Sequence, residues 1–168
     1  MNPVIWITGL PGVGKTEAAK AVVARLRTDG QSCLLLDGDS LRQVLAPLLG
    51  GYDVVSRRCL AETYANVAGL VAGQGTISVV ATVSLFADIH TRNRARFAPY
   101  LEVLLTCDEA ERERRRPRAD LGSGPQVGVD IAPEWPVAPD LRIDTGCLTA
   151  AEIGARVVTR WQALGHAR

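Results

Sequence analysis

Aromatic side chains are scarce in this sequence: two Phe, three Tyr and three Trp make up 5% of its 168 residues. None interleaves with the arginine-rich stretch at Arg112–Arg118, so the platform that stacks on single-stranded nucleic acid is missing. Histidine is reduced to His90 and His166, neither in a partner pattern, and surface or local structural roles are expected for both. Cys33, Cys59, Cys107 and Cys147 are widely spaced with no C-x-x-C pair, which argues against zinc and a disulfide framework and for reduced thiols. No apolar run approaches the roughly 20 residues of a membrane span. The net charge of +1 gives no general attraction to nucleic acid or an anionic membrane, so neither is expected as a partner. The first strand begins almost at once, leaving no room for a signal peptide, and a cytoplasmic location is expected. A guanine-reading Asn-Lys-x-Asp is absent, as is an aspartate ending the third predicted strand.

What is present begins with Gly9-Leu10-Pro11-Gly12-Val13-Gly14-Lys15-Thr16, the G-x-x-x-x-G-K-[ST] spacing of a phosphate-binding loop. Val4-Ile5-Trp6-Ile7 reads as a buried strand before it. Ala18, Ala19, Val22, Val23 and Leu26 recur at helical spacing after it. Glycines allow backbone N–H groups to turn inward, and the following helix N-terminus reinforces the anion site. Lys15 suits the β- and γ-phosphates, and the Thr16 hydroxyl suits Mg²⁺. The eight positions are read as a nucleoside-triphosphate site.

The remaining chain alternates strands and helices. A helix over about Gly14–Asp29 is expected to stop at Gly30, with a strand at Ser32–Leu36 behind it. Ser40 is expected to cap a helix through Leu48 that Pro47 kinks or shortens, and Gly50-Gly51 interrupts the chain. A longer helix is predicted over Ser56–Ala72, a strand over Thr76–Thr82, a helix within Asp88–Phe97 and a strand over Tyr100–Leu105. Asp108 starts a charged helix that Pro117 ends. Residues 119–139, rich in Gly and Pro, show no period and are read as a lid or covering loop. A strand at Asp140–Asp144 and a helix capped by Thr149 close the chain. The pattern predicts one α/β domain over residues 1–168, with residues 108–139 as lid helix and covering loop. Its architecture is the three-layer P-loop NTPase sandwich: a mostly parallel five-stranded sheet with helices on both faces. Ligands in such sheets sit beyond the strand carboxyl ends, which brings together the P-loop, Asp37-Gly38-Asp39 and Thr82-Val83-Ser84.

Asp37 and Asp39 suit the two needs of phosphoryl transfer, a carboxylate near Mg²⁺ and one to orient or deprotonate a hydroxyl. An Asx turn before the helix is the plainer alternative. Arg42, Arg57 and Arg58 could fork onto phosphate or sulfate oxygens, or lie solvated on helix surfaces. Ser84 and Phe86 could position a substrate, or cap a helix and fill the core. Arg112, Arg114, Arg115, Arg116 and Arg118 either pair with Glu109, Glu111 and Glu113 or clamp nucleotide phosphates as a lid closes.

These segments together resemble the adenylylsulfate kinase family. The resemblance rests on the P-loop, Leu36-Asp37-Gly38-Asp39-Ser40-Leu41-Arg42, Val83-Ser84, Leu101-Glu102-Val103, Gly128-Val129-Asp130 and Pro139-Asp140-Leu141, in family order. It implies ATP·Mg²⁺ as donor and a nucleotide hydroxyl as acceptor, usually the 3′-hydroxyl of adenosine 5′-phosphosulfate. By position it implies catalytic roles for Lys15, Asp37, Asp39 and Ser84. It implies donor binding by Gly9–Thr16 and Arg115, and metal binding by Thr16 and Asp37. Acceptor binding falls to Asp39, Arg42, Arg57, Ser84 and Phe86. A homodimer is compatible with it. The acceptor side departs from the family: Leu60-Ala61-Glu62-Thr63 stands where Asn-Ile-Arg-Arg is usual, and Ser84-Leu85-Phe86 replaces Ser-Pro-Tyr. Glu62 is expected to disfavour the usual anion there. A branch acting on cytidine diphosphoramidate-type nucleotides fits these departures. A nucleotide-binding switch and a catalytically dead binding module are the readings from other classes.

Overall fold

The computed structural model describes residues 2–49, 51–115 and 124–166. Five strands form one sheet: β1 (Val4–Thr8), β2 (Cys33–Asp37), β3 (Ile77–Thr82), β4 (Tyr100–Thr106) and β5 (Leu141–Asp144). Their spatial order is β2-β3-β1-β4-β5, and every pairing is parallel. Six helices connect and flank them: α1 (Lys15–Thr28), α2 (Gly38–Leu49), α3 (Val54–Ala72), α4 (Ala87–Arg96), α5 (Glu109–Arg115) and α6 (Ala150–His166).

Parallel strands need both faces covered, and alternate residues of β1 divide the core accordingly. Ile5 and Ile7 pack with Val22 and Leu26 of α1 and Val157 and Trp161 of α6. Val4 and Trp6 pack with Leu60, Tyr64 and Ala68 of α3 and Ile89 of α4. The three-layer α/β architecture is as the sequence predicts.

Helix ends follow local chemistry. Gly30 takes φ +73° after α1, its N–H bonds Arg27 O (3.0 Å), and Gln31 N bonds Leu26 O (2.9 Å), which satisfies two orphan carbonyls. Ser40 is not the cap of α2. The helix starts directly after β2 at Gly38, and the Asp37 carboxylate accepts from both Ser40 N (3.2 Å) and Ser40 Oγ (3.3 Å). The helix runs on past Pro47 to Leu49, so the proline does not shorten it. Asp53 caps α3 by accepting from Ser56 N (3.0 Å), so the helix starts at Val54, two residues ahead of the predicted start. Thr149 caps α6 as expected and forms a reciprocal box with Glu152, with Thr149 N on Glu152 Oε2 (2.8 Å) and Glu152 N on Thr149 Oγ1 (3.2 Å).

Residues 124–139 carry no helix or extended strand, only a turn closed by the Val127–Ile131 bridge. They are nevertheless fastened. Arg57 Nη2 donates to Pro125 O (2.7 Å), and Arg94 Nη2 donates to Ala138 O (3.1 Å). Gly128, at φ +90°, packs so closely on Leu10 that a Cβ would lie 2.8 Å from Leu10 Cδ2. Pro117 and the rest of the lid at residues 116–123 lie outside the described residues.

Candidate active site

The carboxyl ends of β1, β2 and β3 open into a cleft of about 720 Å³. Its floor is the loop between β1 and α1. A Cβ on Gly9 would collide with the Leu105 carbonyl, and one on Gly12 would sit 2.5 Å from Arg112 O, so the loop hugs β4 and α5 because it has no side chains there. Pro11, Gly12, Gly14, Lys15 and Thr16 face the cleft. Gly9, Leu10 and Val13 do not line it. Val13 is buried in the core, and Leu10 supports Gly128.

Lys15 folds back onto its own loop, Nζ donating to Leu10 O (2.9 Å). Burial lowers its pKa from 10.5 to about 8, helped by the charge of Arg112, while Asp39 and Asp37 pull it back up. Thr16 Oγ1 donates to Asp37 Oδ1 (2.7 Å), tying the P-loop hydroxyl to the end of β2. Asp37 thereby serves two purposes, since its other oxygen starts α2. Asp39 follows in the first turn of α2, on the cleft wall and within electrostatic reach of Lys15. At the end of β3, where no acid stands, Thr82 Oγ1 and Ser84 Oγ share a hydrogen bond of 2.8 Å. Among the described residues no cluster of three His, Cys, Asp or Glu is built to hold a metal.

The far wall is cationic and aromatic. Arg42 lies over the Tyr52 ring at 4.5 Å and Arg57 at 5.5 Å, and both guanidiniums also hold backbone carbonyls: Gly51 O (3.1 Å) from Arg42, Tyr52 O (2.8 Å) from Arg57. Burial and the neighbouring Arg42 charge depress the Arg57 pKa. Two cations thus stand together facing a cavity. Tyr64, whose hydroxyl donates to Gly38 O (3.0 Å), has its pKa pushed up to about 12 by burial. Phe86, Gln126, Val127 and Ile131 complete the wall.

Of the residues singled out in the sequence, Lys15, Thr16, Asp37, Asp39, Arg42, Arg57, Ser84, Phe86 and Arg115 all line this one cleft. Arg115 is held there by Thr145, donating to its Oγ1 and carbonyl (both 3.2 Å). Others fall elsewhere. Arg58 stacks on Phe86 at 4.6 Å and pairs with Asp88 (2.6 Å). Glu62 does not line the cleft. It pairs with Arg92 (2.9 Å) across a groove between α3 and α4, so its charge meets a guanidinium there instead of facing an anion in the cleft as the sequence suggested. Arg114 is spent on Glu111 (2.6 Å), whereas Arg112 is buried beside Gly12 and, among the described residues, makes long ion pairs to Glu113 (3.5 Å) and Glu109 (3.8 Å). Arg116 and Arg118 lie outside the described residues. His90 is not at the surface; it is buried, with Nδ1 2.9 Å from Glu102 Oε1. The side chain of His166 is outside the described set.

Sequence reasoning missed Tyr52 and Tyr64, and it put Thr82 on the rim without giving its hydroxyl a partner. A lone aromatic just after the Gly50-Gly51 break was the available signal for Tyr52. Tyr64 falls on the apolar side of its helix and reads as core.

A model of the adenylylsulphate kinase family matches residues 1–144. The chain is 34% identical to an adenylyl-sulfate kinase of Burkholderia ambifaria, covering 94% of this chain and 91% of that one. It is 32% identical to a cytidine diphosphoramidate kinase of Campylobacter jejuni, covering 97% and 98%. The fold superposes on the Mycobacterium tuberculosis APS kinase in complex with AMPPNP and APS with a TM-score of 0.84, at 28% identity over 96% of this chain and 98% of that one.

Proposed function

The chain belongs to the adenylylsulphate kinase family, and on that premise we propose that its cleft binds ATP·Mg²⁺ over the P-loop and a small anionic nucleotide against Arg42, Arg57 and Tyr52. It is an ATP-dependent phosphotransferase. The observation that carries the acceptor reading is the pair of guanidiniums flanking one aromatic ring opposite the P-loop. Like charges held together favour an anion between them.

In this reading Lys15 leaves Leu10 O for the β- and γ-phosphate oxygens, which replace the carbonyl with a stronger charge-assisted partner. The Gly12–Thr16 backbone cradles the same phosphates at the start of α1. A metal that keeps its waters and takes phosphate oxygens needs only one or two protein groups, and Thr16 with Asp37 behind it fits that modest donor set. Bound Mg²⁺ supplies neutralisation of the charge developing on the transferred group. Asp39 orients the attacking hydroxyl and accepts its proton, and Ser84, held by Thr82, positions the acceptor. Arg115, steadied by Thr145, covers the donor side.

The default acceptor is the 3′-hydroxyl of adenosine 5′-phosphosulfate. Cytidine diphosphoramidate is the second reading, favoured by the Campylobacter jejuni relative and by Leu60 lining the cleft where the family carries a polar residue. The test is an acceptor panel with ATP·Mg²⁺, read by mass spectrometry, with Lys15→Ala as control. Wild type should phosphorylate one of the two nucleotides, and the folded variant should lose at least about 100-fold in kcat/KM, or about 2.7 kcal/mol. Wild-type turnover by the variant, or no product from any acceptor, would sink the reading.

A further inference from the structure

The cleft wall bearing Ser84, Leu85 and Phe86 is a loop, not a strand, and it leads straight into α4. Phe86 stands at the cap position of α4 with no side-chain cap of its own, so the first helical amide, that of Ala87, has no partner within the helix. Glu134 supplies one from the covering segment, its Oε2 accepting from Ala87 N at 2.9 Å. The Glu134 backbone answers in the opposite sense, its N–H donating to Leu85 O at 3.1 Å. The two bonds straddle Phe86. They tie it to residues 124–139, which contribute Gln126, Val127 and Ile131 to the same cavity. A carboxylate at a helix N-terminus is stabilised by the helix dipole, and here the helix and the carboxylate come from segments 47 residues apart.

We propose that Glu134 is a positioning residue for the acceptor, a latch that sets the separation between the Ser84–Phe86 wall and the covering segment. It rests on the kinase reading above. It touches neither donor nor acceptor. Its reach is confined to the acceptor wall, because the P-loop, Asp37 and Asp39 are carried by β1, α1, β2 and α2, and the Thr16–Asp37 bond that joins the P-loop to β2 does not involve Glu134. Loss of the latch therefore weakens acceptor binding and leaves the donor site intact.

The experiment compares Glu134→Ala with Glu134→Gln, whose amide oxygen can still accept from Ala87 N. Steady-state kinetics use adenosine 5′-phosphosulfate, or cytidine diphosphoramidate if the panel selects it, at saturating ATP·Mg²⁺, and ATP at saturating acceptor. Glu134→Ala should raise the acceptor KM about fivefold or more, with kcat and the ATP KM within about twofold, and Glu134→Gln should recover most of the loss. In the ligand-free protein, hydrogen exchange at Ala87 should quicken in Glu134→Ala and not in Glu134→Gln. An unchanged acceptor KM, equal rises for both substrates, or a Gln variant no better than Ala would overturn the latch. If wild type phosphorylates neither acceptor, the kinase reading fails, and the exchange measurement alone decides the latch: unchanged exchange at Ala87 rejects it.

Discussion

At Lys15 the local environment alters the chemistry of the side chain. Its pKa of about 8 places the loss of its proton well below the ordinary 10.5, because the loop buries the ammonium more strongly than Asp37 and Asp39 compensate. The sign of the consequence differs for folding and for binding. Between about pH 8 and 10.5 the unfolded chain still carries the proton that the folded one has released, so this group makes the folded state more stable as pH rises through that window. Polyphosphate favours the ammonium, so binding requires a proton to be taken up above pH 8. ATP affinity should fall by up to about tenfold per pH unit above that point. Isothermal titration in buffers of different ionisation enthalpy measures both the affinity and the proton uptake. In Lys15→Arg the cation does not titrate, and the slope should vanish. Equal slopes in the two proteins would assign the titration to another group.

At the scale of elements, the half of the cleft proposed for the donor was written locally and the half proposed for the acceptor was not. The P-loop, α1 and its glycine stop occupy one continuous stretch, so motif spacing and helical period both point to them. The cost of the stop can be measured: Gly30 at φ +73° has open space around a Cβ, so Gly30→Ala should destabilise by backbone strain alone, about 1 kcal/mol, with an unchanged denaturant slope. A loss well above that, or none, would mean the residue does something besides ending α1. The start of α2 was misread because Asp37 ends a strand, bonds Thr16 and caps the helix at once, and periodicity sees only the first of these. The acceptor wall was harder still. Asp39, Arg42 and Arg57 could be named from position, but Tyr52 and Val127 come from segments without period, and the Arg57–Pro125 bond that joins those segments spans 68 residues. Glu62 looked like a cleft residue because the helix period does not say which neighbour a face will meet; α4 was there with Arg92.

Across the whole molecule, a second polar assembly fastens the covering segment from the side away from the cleft. Glu102, on β4 and nearly inaccessible, receives Tyr100 Oη (3.1 Å) and Arg94 Nη2 (3.0 Å) and lies 2.9 Å from His90 Nδ1. Arg94 also reaches both oxygens of Asp140 (3.3 and 3.0 Å), and Asp140 accepts from Glu102 N (2.8 Å) at the entry to β5. None of these side chains lines the cleft. The assembly therefore bears on stability and on where residues 138–140 are held, and it takes no part in the reaction. Glu102→Gln keeps the volume but removes the charge that Arg94 meets inside the fold, which should cost about 2 kcal/mol in urea unfolding. Asp140→Asn should cost less, because Asp140 is partly exposed. The double variant should lose less than the sum of the two, since both carboxylates act through the same guanidinium. At a temperature where every variant is folded, the ATP KM should stay within about twofold of wild type. Strict additivity would break the claim of a shared network. A selective loss of ATP binding would mean that the assembly reaches the donor site after all, through β4 and the Leu105 carbonyl against which Gly9 packs.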